Sequence, residues 1–190
     1  MRCGKPLRAE RDEFCYDCSH RQHFYDRGIC LYRYDTIRKT VYRFKYAGRQ
    51  EYAVFLGGEM AEKLGKVLLA WKPEALIPVP LHPSRQRKRG YNQAALLAGE
   101  IGKILQIPVL DKWLIREKNT QPLKLLDGRE RQNNLKKAFN IVQNEVKLKT
   151  IIIVDDIYTT GSTVDEIAKL CRQNGVEKIY FTALSVGIGF

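Results

Sequence analysis

Two adjacent carboxylates and a run of small hydroxyl residues lie side by side in the segment 150–163, TIIIVDDIYTTGST. Asp155 and Asp156 follow an apolar run, and the residues after them are Thr159, Thr160, Gly161, Ser162 and Thr163. A glycine-bearing turn at the start of a helix offers backbone N–H groups and the positive end of the helix dipole to an anion. Carboxylates repel phosphate and instead suit sugar hydroxyls or a metal ion. The segment therefore predicts a sugar-phosphate site. Ordinary N-capping would need only one of these residues, and the G-K-S/T signature of an NTPase is absent here.

The elements around this segment indicate an α/β fold with a mostly parallel, twisted sheet flanked by helices. The β-branched run 151–154 is typical of a strand buried on both faces, and an amphipathic helix follows the hydroxyl residues. Further strands are predicted at 31–34, 75–79 and 179–184, with helices at 37–48, 51–70 and 94–105. Ligands of such sheets bind at the carboxyl ends of the strands.

A basic segment follows the predicted strand 75–79. It lies within 80–93, which we interpret as a loop made rigid by Pro78, Pro80 and Pro83. Its cations are Arg85, Arg87, Lys88 and Arg89, with no acid among them. At the carboxyl end of a strand these side chains suit a pyrophosphate group, and nucleic-acid phosphate is the rival ligand.

The motif VDDIYTTGST at 154–163 resembles the phosphoribosyl-pyrophosphate (PRPP) motif of type I phosphoribosyltransferases. The segments PVPLHPSRQRKRGYNQA at 78–94 and RFKYAG at 43–48 are similar to the ComF family of bacterial competence proteins. The resemblance implies a type I phosphoribosyltransferase-like fold that binds PRPP with Mg²⁺. It also implies that Asp155 and Asp156 hold the ribose hydroxyls, and that residues 159–163 bind the 5′-phosphate.

The polar segment 116–137 corresponds to the mobile loop that closes over PRPP in those enzymes. By resemblance it is predicted to be a lid that excludes water. Gln121 and Arg131 belong to the ComF-like pattern and are the candidate lid contacts.

Four of the five cysteines lie near the N-terminus: Cys3, Cys15, Cys18 and Cys30. Clustering with a C-x-x-C pair favours structural Zn²⁺ over disulfides. Cys30, His20 and His23 are the candidates for a fourth ligand, and Cys30 is included in the predicted set. We expect a zinc-ribbon-like element at 1–30 and a phosphoribosyltransferase-like domain at 31–190.

The formal charge of +12 predicts an anionic partner. Cations alternate with tyrosines and Phe44 in the stretch 34–49, a pattern that suits stacking on single-stranded DNA or, alternatively, a helix with its aromatic residues in the core.

No apolar run reaches membrane-spanning length and no signal peptide is evident, so a cytoplasmic protein is expected. Two functions stay open: a PRPP-binding competence protein, which could transfer phosphoribosyl to an acceptor, and a non-enzymatic factor that binds single-stranded DNA. The competence machinery is the expected protein partner.

Overall fold

A computed structural model describes residues 3–5, 15–117, 138–142 and 147–187. Over those residues the strands are β1 (Arg27–Arg33), β2 (Ala75–Pro78), β3 (Leu114–Arg116), β4 (Phe139–Ile141), β5 (Thr150–Tyr158) and β6 (Lys178–Val186). The helices are α1 (Tyr16–His20), α2 (Tyr34–Tyr46), α3 (Tyr52–Ala70), α4 (Pro83–Arg89), α5 (Gln93–Leu105) and α6 (Ser162–Gln173).

Four parallel strands form the central sheet in the order β1-β6-β5-β2. Strands β5 and β6 are its centre, and the run 151–154 is fully buried because helices cover both faces there. Strands β3 and β4 form a separate antiparallel ribbon. The parallel sheet and its flanking helices confirm the predicted fold class.

Two apolar layers hold the helices to the sheet. On one face α2, α3 and α5 pack on Leu76, Ile152 and Leu184. On the other face, α6 and the β3–β4 ribbon pack on Ile153 and Phe181. Alternate residues of β5 thus enter opposite layers, which fixes the register of the strand against both sets of helices.

The acid pair lies within β5, whereas the sequence predicted it just after the strand. Backbone pairing of β5 with β6 continues past Asp155 to Tyr158, while the pairing with β2 ends at Val154. Strand β5 therefore extends beyond its neighbour on one side. The acid pair lies just beyond the point where β2 ends, and the space next to β5 there leaves room for a ligand.

The segment predicted to be a rigid loop contains the helix α4. Pro83 occupies the first helical turn, the His82 side chain accepts a hydrogen bond from the Ser84 N–H, and Gly90 ends the helix with φ of 82°. Pro83, one of the three prolines on which the prediction of a rigid loop was based, thus starts a helix. The first residue of the predicted lid, Arg116, is instead the last residue of β3.

The domain boundary predicted at residue 30 falls inside a strand. Strand β1 begins at Arg27 and ends at Arg33, so it spans the division predicted at residue 30, and Tyr34 already belongs to α2. Among the described residues, no helix combines the length and the apolar character needed to cross a bilayer.

Candidate functional site

A crevice of about 860 Å³ opens at the carboxyl ends of β2 and β5. Its lining brings together the predicted acid pair, three of the predicted hydroxyl residues and three of the predicted cations. Its charged lining residues are Lys45, Arg85, Lys88, Arg89, Arg116, Asp155 and Asp156. Cations outnumber carboxylates in this set, so the crevice suits a ligand with several negative charges.

The two carboxylates have different surroundings. Asp156 is 8% exposed, and its Oδ2 lies 2.8 Å from Nζ of Lys45 at the end of α2. Asp155 accepts a hydrogen bond from the Asp156 N–H through Oδ1. Burial, reinforced by the charge of Asp156, raises the pKa of Asp155 above its usual range, and Lys45 opposes that shift. An incoming hydroxyl donor or cation would favour the ionised form of Asp155.

The hydroxyl loop 159–163 turns around the N-terminus of α6. Gly161 is the N-cap residue with φ of 80°, and Oγ1 of Thr160 lies 2.9 Å from Oγ of Ser162. Thr159, Thr160 and Thr163 reach the main crevice, and all five loop residues line a small recess next to it. Because backbone N–H groups are available at a helix N-terminus, this recess is the candidate phosphate site.

Gly161 is required at its position for two reasons. Its positive φ disfavours other residues, and a Cβ atom there would lie 2.5 Å from Oη of Tyr158. The Tyr158 ring stacks on Phe181 with centroids 4.5 Å apart, and its hydroxyl lies 2.7 Å from that of Tyr25. A buried aromatic cluster therefore supports the loop from below.

The helix α4 separates the four predicted pyrophosphate ligands. Arg85, Lys88 and Arg89 lie three and four positions apart, share one face of the helix and line the crevice. Arg87 is exposed and is not among the lining residues. The stretch was predicted to be a loop, and a loop has no fixed side-chain spacing. The spacing of the helix places Arg87 outside the crevice lining.

Two crevice cations were not predicted as ligands. Lys45 belongs to the basic stretch 34–49, and Arg116 is the first residue of the predicted lid; both line the crevice. Helical spacing from Phe44 could have placed Lys45 at the edge of the core, but nothing in the sequence joins either residue to the acid pair. Of the predicted lid, residues 118–137 lie outside the described residues, and the roles of Gln121 and Arg131 stay predictions.

Three cysteine sulfurs, those of Cys3, Cys15 and Cys18, lie within 4.8 Å of one another among the described residues. Sγ of Cys3 is 3.3 Å from Sγ of Cys15. Backbone N–H groups of Lys5 and Cys18 donate to the sulfurs of Cys3 and Cys15, which is the surrounding that metal-bound thiolates need. A hydrogen bond from Cys3 to Cys18 raises the pKa of Cys3 and lowers that of Cys18. The donor set fits Zn²⁺.

The other candidate zinc ligands lie outside this cluster. Cys30 is in β1, where burial raises its pKa, and its role as a ligand stays a prediction. Nδ1 of His23 instead lies 2.5 Å from Oδ2 of Asp165 in the first turn of α6. Nδ1 of His20 lies 3.0 Å from Oγ of Ser19 at the surface.

The aromatic residues of α2 divide between core and surface. Phe44 is fully buried, whereas Tyr42 and Tyr46 are 62% and 60% exposed with ring centroids 5.2 Å apart. The guanidinium of Arg89 lies 5.0 Å from the Tyr46 ring. Two exposed tyrosines and the half-buried Arg89 thus form a row that leads into the crevice at Tyr46.

Comparison with known proteins gives consistent results. A family model described as "Phosphoribosyl transferase domain" matches residues 92–185. The chain is 34% identical over 192 residues to "Competence protein F" of Haemophilus influenzae, covering 96% of this chain and 82% of that protein. It is 31% identical over 184 residues to "DNA utilization protein YhgH" of Salmonella typhimurium, covering 93% of this chain and 79% of that protein.

A solved structure of a hypoxanthine phosphoribosyltransferase from Staphylococcus aureus is also similar, with 13% identity and a TM-score of 0.41. The similarity covers 70% of this chain and 62% of that enzyme.

Proposed function

Because the chain belongs to the ComF family of competence proteins and carries a phosphoribosyltransferase domain, we propose that it binds PRPP in the crevice and acts in the handling of DNA during competence. The main observation in support of this proposal is that three groups of side chains line the same crevice. These groups are the acid pair of β5, the hydroxyl loop at the N-terminus of α6 and the cationic face of α4. A sugar that carries a phosphate at one end and a pyrophosphate at the other would contact all three.

The ligand's orientation follows from the charges. The 5′-phosphate would occupy the recess of residues 159–163, where backbone N–H groups and hydroxyls are available. The ribose hydroxyls would donate to Asp155 and Asp156, which gives these carboxylates partners that a phosphate could not supply. The pyrophosphate would then extend towards Arg85, Lys88 and Arg89.

The acid pair also provides oxygen ligands of the type that Mg²⁺ prefers. Asp155 and Asp156 would hold the ion together with oxygens of the ligand. When bound, Mg²⁺ would neutralise part of the pyrophosphate charge and help it to act as a leaving group. Lys45 keeps Asp156 oriented towards the crevice through their 2.8 Å ion pair.

Calorimetry of the full chain with PRPP and Mg²⁺ tests the proposal. We expect saturable binding that is lost when Asp155→Ala and Asp156→Ala are combined. Arg87→Ala is the matched control, because Arg87 is an exposed cation of α4 outside the crevice. An affinity that the double substitution leaves unchanged would remove the acid pair from the site. Absence of PRPP binding by the unaltered chain would refute the proposal itself.

A second candidate function is binding of single-stranded DNA, favoured by the row formed by the exposed Tyr42 and Tyr46 with Arg89. Aromatic rings on one helix face offer stacking surfaces for bases, and nearby cations attract the phosphate backbone. Fluorescence anisotropy with a labelled oligothymidine should show affinity that decreases steeply as salt rises. Combined Tyr42→Ala and Tyr46→Ala should weaken binding by roughly tenfold or more, whereas Tyr34→Ala, at a half-buried position of the same helix, should have a smaller effect. Equal losses in the two variants would exclude the row as a stacking surface.

A further inference from the structure

We propose that Arg116 is a specificity-determining residue that recognises the pyrophosphate end of the ligand from the β3–β4 ribbon. This inference rests on the proposed function, since it names a contact within the same crevice. Arg116 ends β3 and lines the crevice together with α4 and the acid pair. It therefore adds a cation from an element other than the basic helix.

The ribbon holds the Arg116 side chain in a defined place. Arg116 is 9% exposed and pairs in register with Phe139 of β4. Its guanidinium carbon lies 5.4 Å from the centre of the Phe139 ring. A hydrogen bond from the Glu117 N–H to the Ala138 carbonyl continues the ribbon pairing directly after Arg116. The packed stem and the ring contact reduce the rotamer freedom that a surface arginine would lose on binding.

The surrounding charges indicate an anion as the ligand of this side chain. Arg116 lines the same crevice as Arg85 and Asp155. Burial, and to a smaller extent the charge of Arg85, lowers the pKa of Arg116 to about 10, so the guanidinium remains charged at neutral pH. Bringing two guanidinium groups together at the edge of a crevice is unfavourable unless anions lie near them. Asp155 lines the same crevice, which leaves space for an anionic ligand next to the two guanidinium groups.

The planar shape of the Arg116 guanidinium indicates which class of anion it can bind. Its planar fork donates two parallel hydrogen bonds to phosphate oxygens, which the ammonium group of lysine cannot do. Arg116 and Arg85 together can contact both phosphoryl groups of a diphosphate, whereas the site proposed for the 5′-phosphate is the separate recess at the start of α6. Arg116 thus distinguishes PRPP from ribose 5-phosphate, which lacks the diphosphate.

The test is calorimetry of the full chain with PRPP, inorganic pyrophosphate and ribose 5-phosphate, each with Mg²⁺. Arg116→Met keeps an unbranched stem for packing on Phe139 and removes the charge. We expect it to weaken PRPP and pyrophosphate by roughly tenfold to a hundredfold, with ribose 5-phosphate changed less than about twofold. Arg116→Lys should regain only part of the loss. Arg87→Met is the matched control and should leave all three affinities unchanged.

Each outcome of the titrations is decisive. Equal losses for PRPP and ribose 5-phosphate would refute the specificity role of Arg116, and losses no larger than those of Arg87→Met would remove Arg116 from the site. If Arg116→Met fails to fold, Arg116→Lys provides the same comparison among ligands. A chain that binds pyrophosphate through Arg116 but does not bind PRPP would refute the proposed function and keep this inference. A chain that binds neither ligand would refute both.

Discussion

Replacing Asp155 by asparagine should stabilise the ligand-free protein at neutral pH while it abolishes PRPP binding. The carboxylate of Asp155 is kept in a crevice where burial and the neighbouring Asp156 both disfavour its charge. Asparagine has nearly the same shape and can still accept the hydrogen bond from the Asp156 N–H, which the carboxylate accepts at 2.8 Å. The substitution therefore removes an electrostatic cost and keeps the packing.

The size of the effect follows from the shift in pKa. Each unit by which folding raises the pKa of a carboxyl costs about 1.4 kcal/mol above that pKa. Lys45 opposes the shift, so we expect Asp155→Asn to raise the free energy of unfolding by roughly 1–3 kcal/mol. For a domain of this length, Tm should increase by about 2–4 °C for each kcal/mol.

The dependence on pH separates this cause from others. Because the pKa of Asp155 is higher in the folded chain, the cost is present above that pKa and disappears as pH falls towards the unfolded value of about 3.9. Scanning calorimetry should therefore show a Tm difference between Asp155→Asn and the unaltered chain that is large at pH 8 and small near pH 4. Asp111→Asn, at an exposed turn, serves as the control. A lower Tm for Asp155→Asn at neutral pH, or a difference that does not change with pH, would refute this reasoning.

Three further substitutions address the loop and the cysteine cluster. Gly161→Ala should destabilise the chain by about 1–3 kcal/mol and weaken PRPP, because of its φ of 80° and the approach to Tyr158, and thermal unfolding with calorimetry measures both. Tyr158→Phe removes the hydrogen bond to Tyr25 and should cost about 1 kcal/mol in urea unfolding, while an unchanged midpoint would show that this bond contributes nothing. Cys3→Ser should lower the zinc content measured by elemental analysis, whereas Cys171→Ser, at a buried position in α6, should not. Equal zinc in the two cysteine variants would contradict the assignment.

The parts of the site that could be predicted are those encoded within a few consecutive residues. The β-branched run, the acid pair and the hydroxyl loop are adjacent in sequence, so β5 and the start of α6 could be placed with their chemistry. The helix α4 also has local signals, a proline at its first turn and Gly90 after its last. Helical spacing over this stretch separates Arg87 from the other three cations.

The parts that could not be predicted depend on contacts between distant segments. Lys45 meets Asp156 because α2 packs against the sheet beside β5, and Arg116 enters the crevice because its ribbon packs on the opposite side. Neither residue carries a local pattern that distinguishes it from the many surface cations of a chain with charge +12. Helix and sheet packing decides which cations face the ligand, and that packing is a property of the whole fold.

The cysteine element contributes to the same packing. Next to the sulfur cluster, Lys5 is 5% exposed with Nζ 5.8 Å from the centre of the Tyr158 ring. Tyr25 hydrogen-bonds to Tyr158 immediately before the phosphate loop. Immediately after the loop, Asp165 accepts hydrogen bonds from His23 and from the Phe24 N–H. The N-terminal segment therefore forms hydrogen bonds with the residues on both sides of the hydroxyl loop. None of Cys3, Cys15 and Cys18 lines the crevice, so a metal ion held by them would act on the loop only through this N-terminal segment.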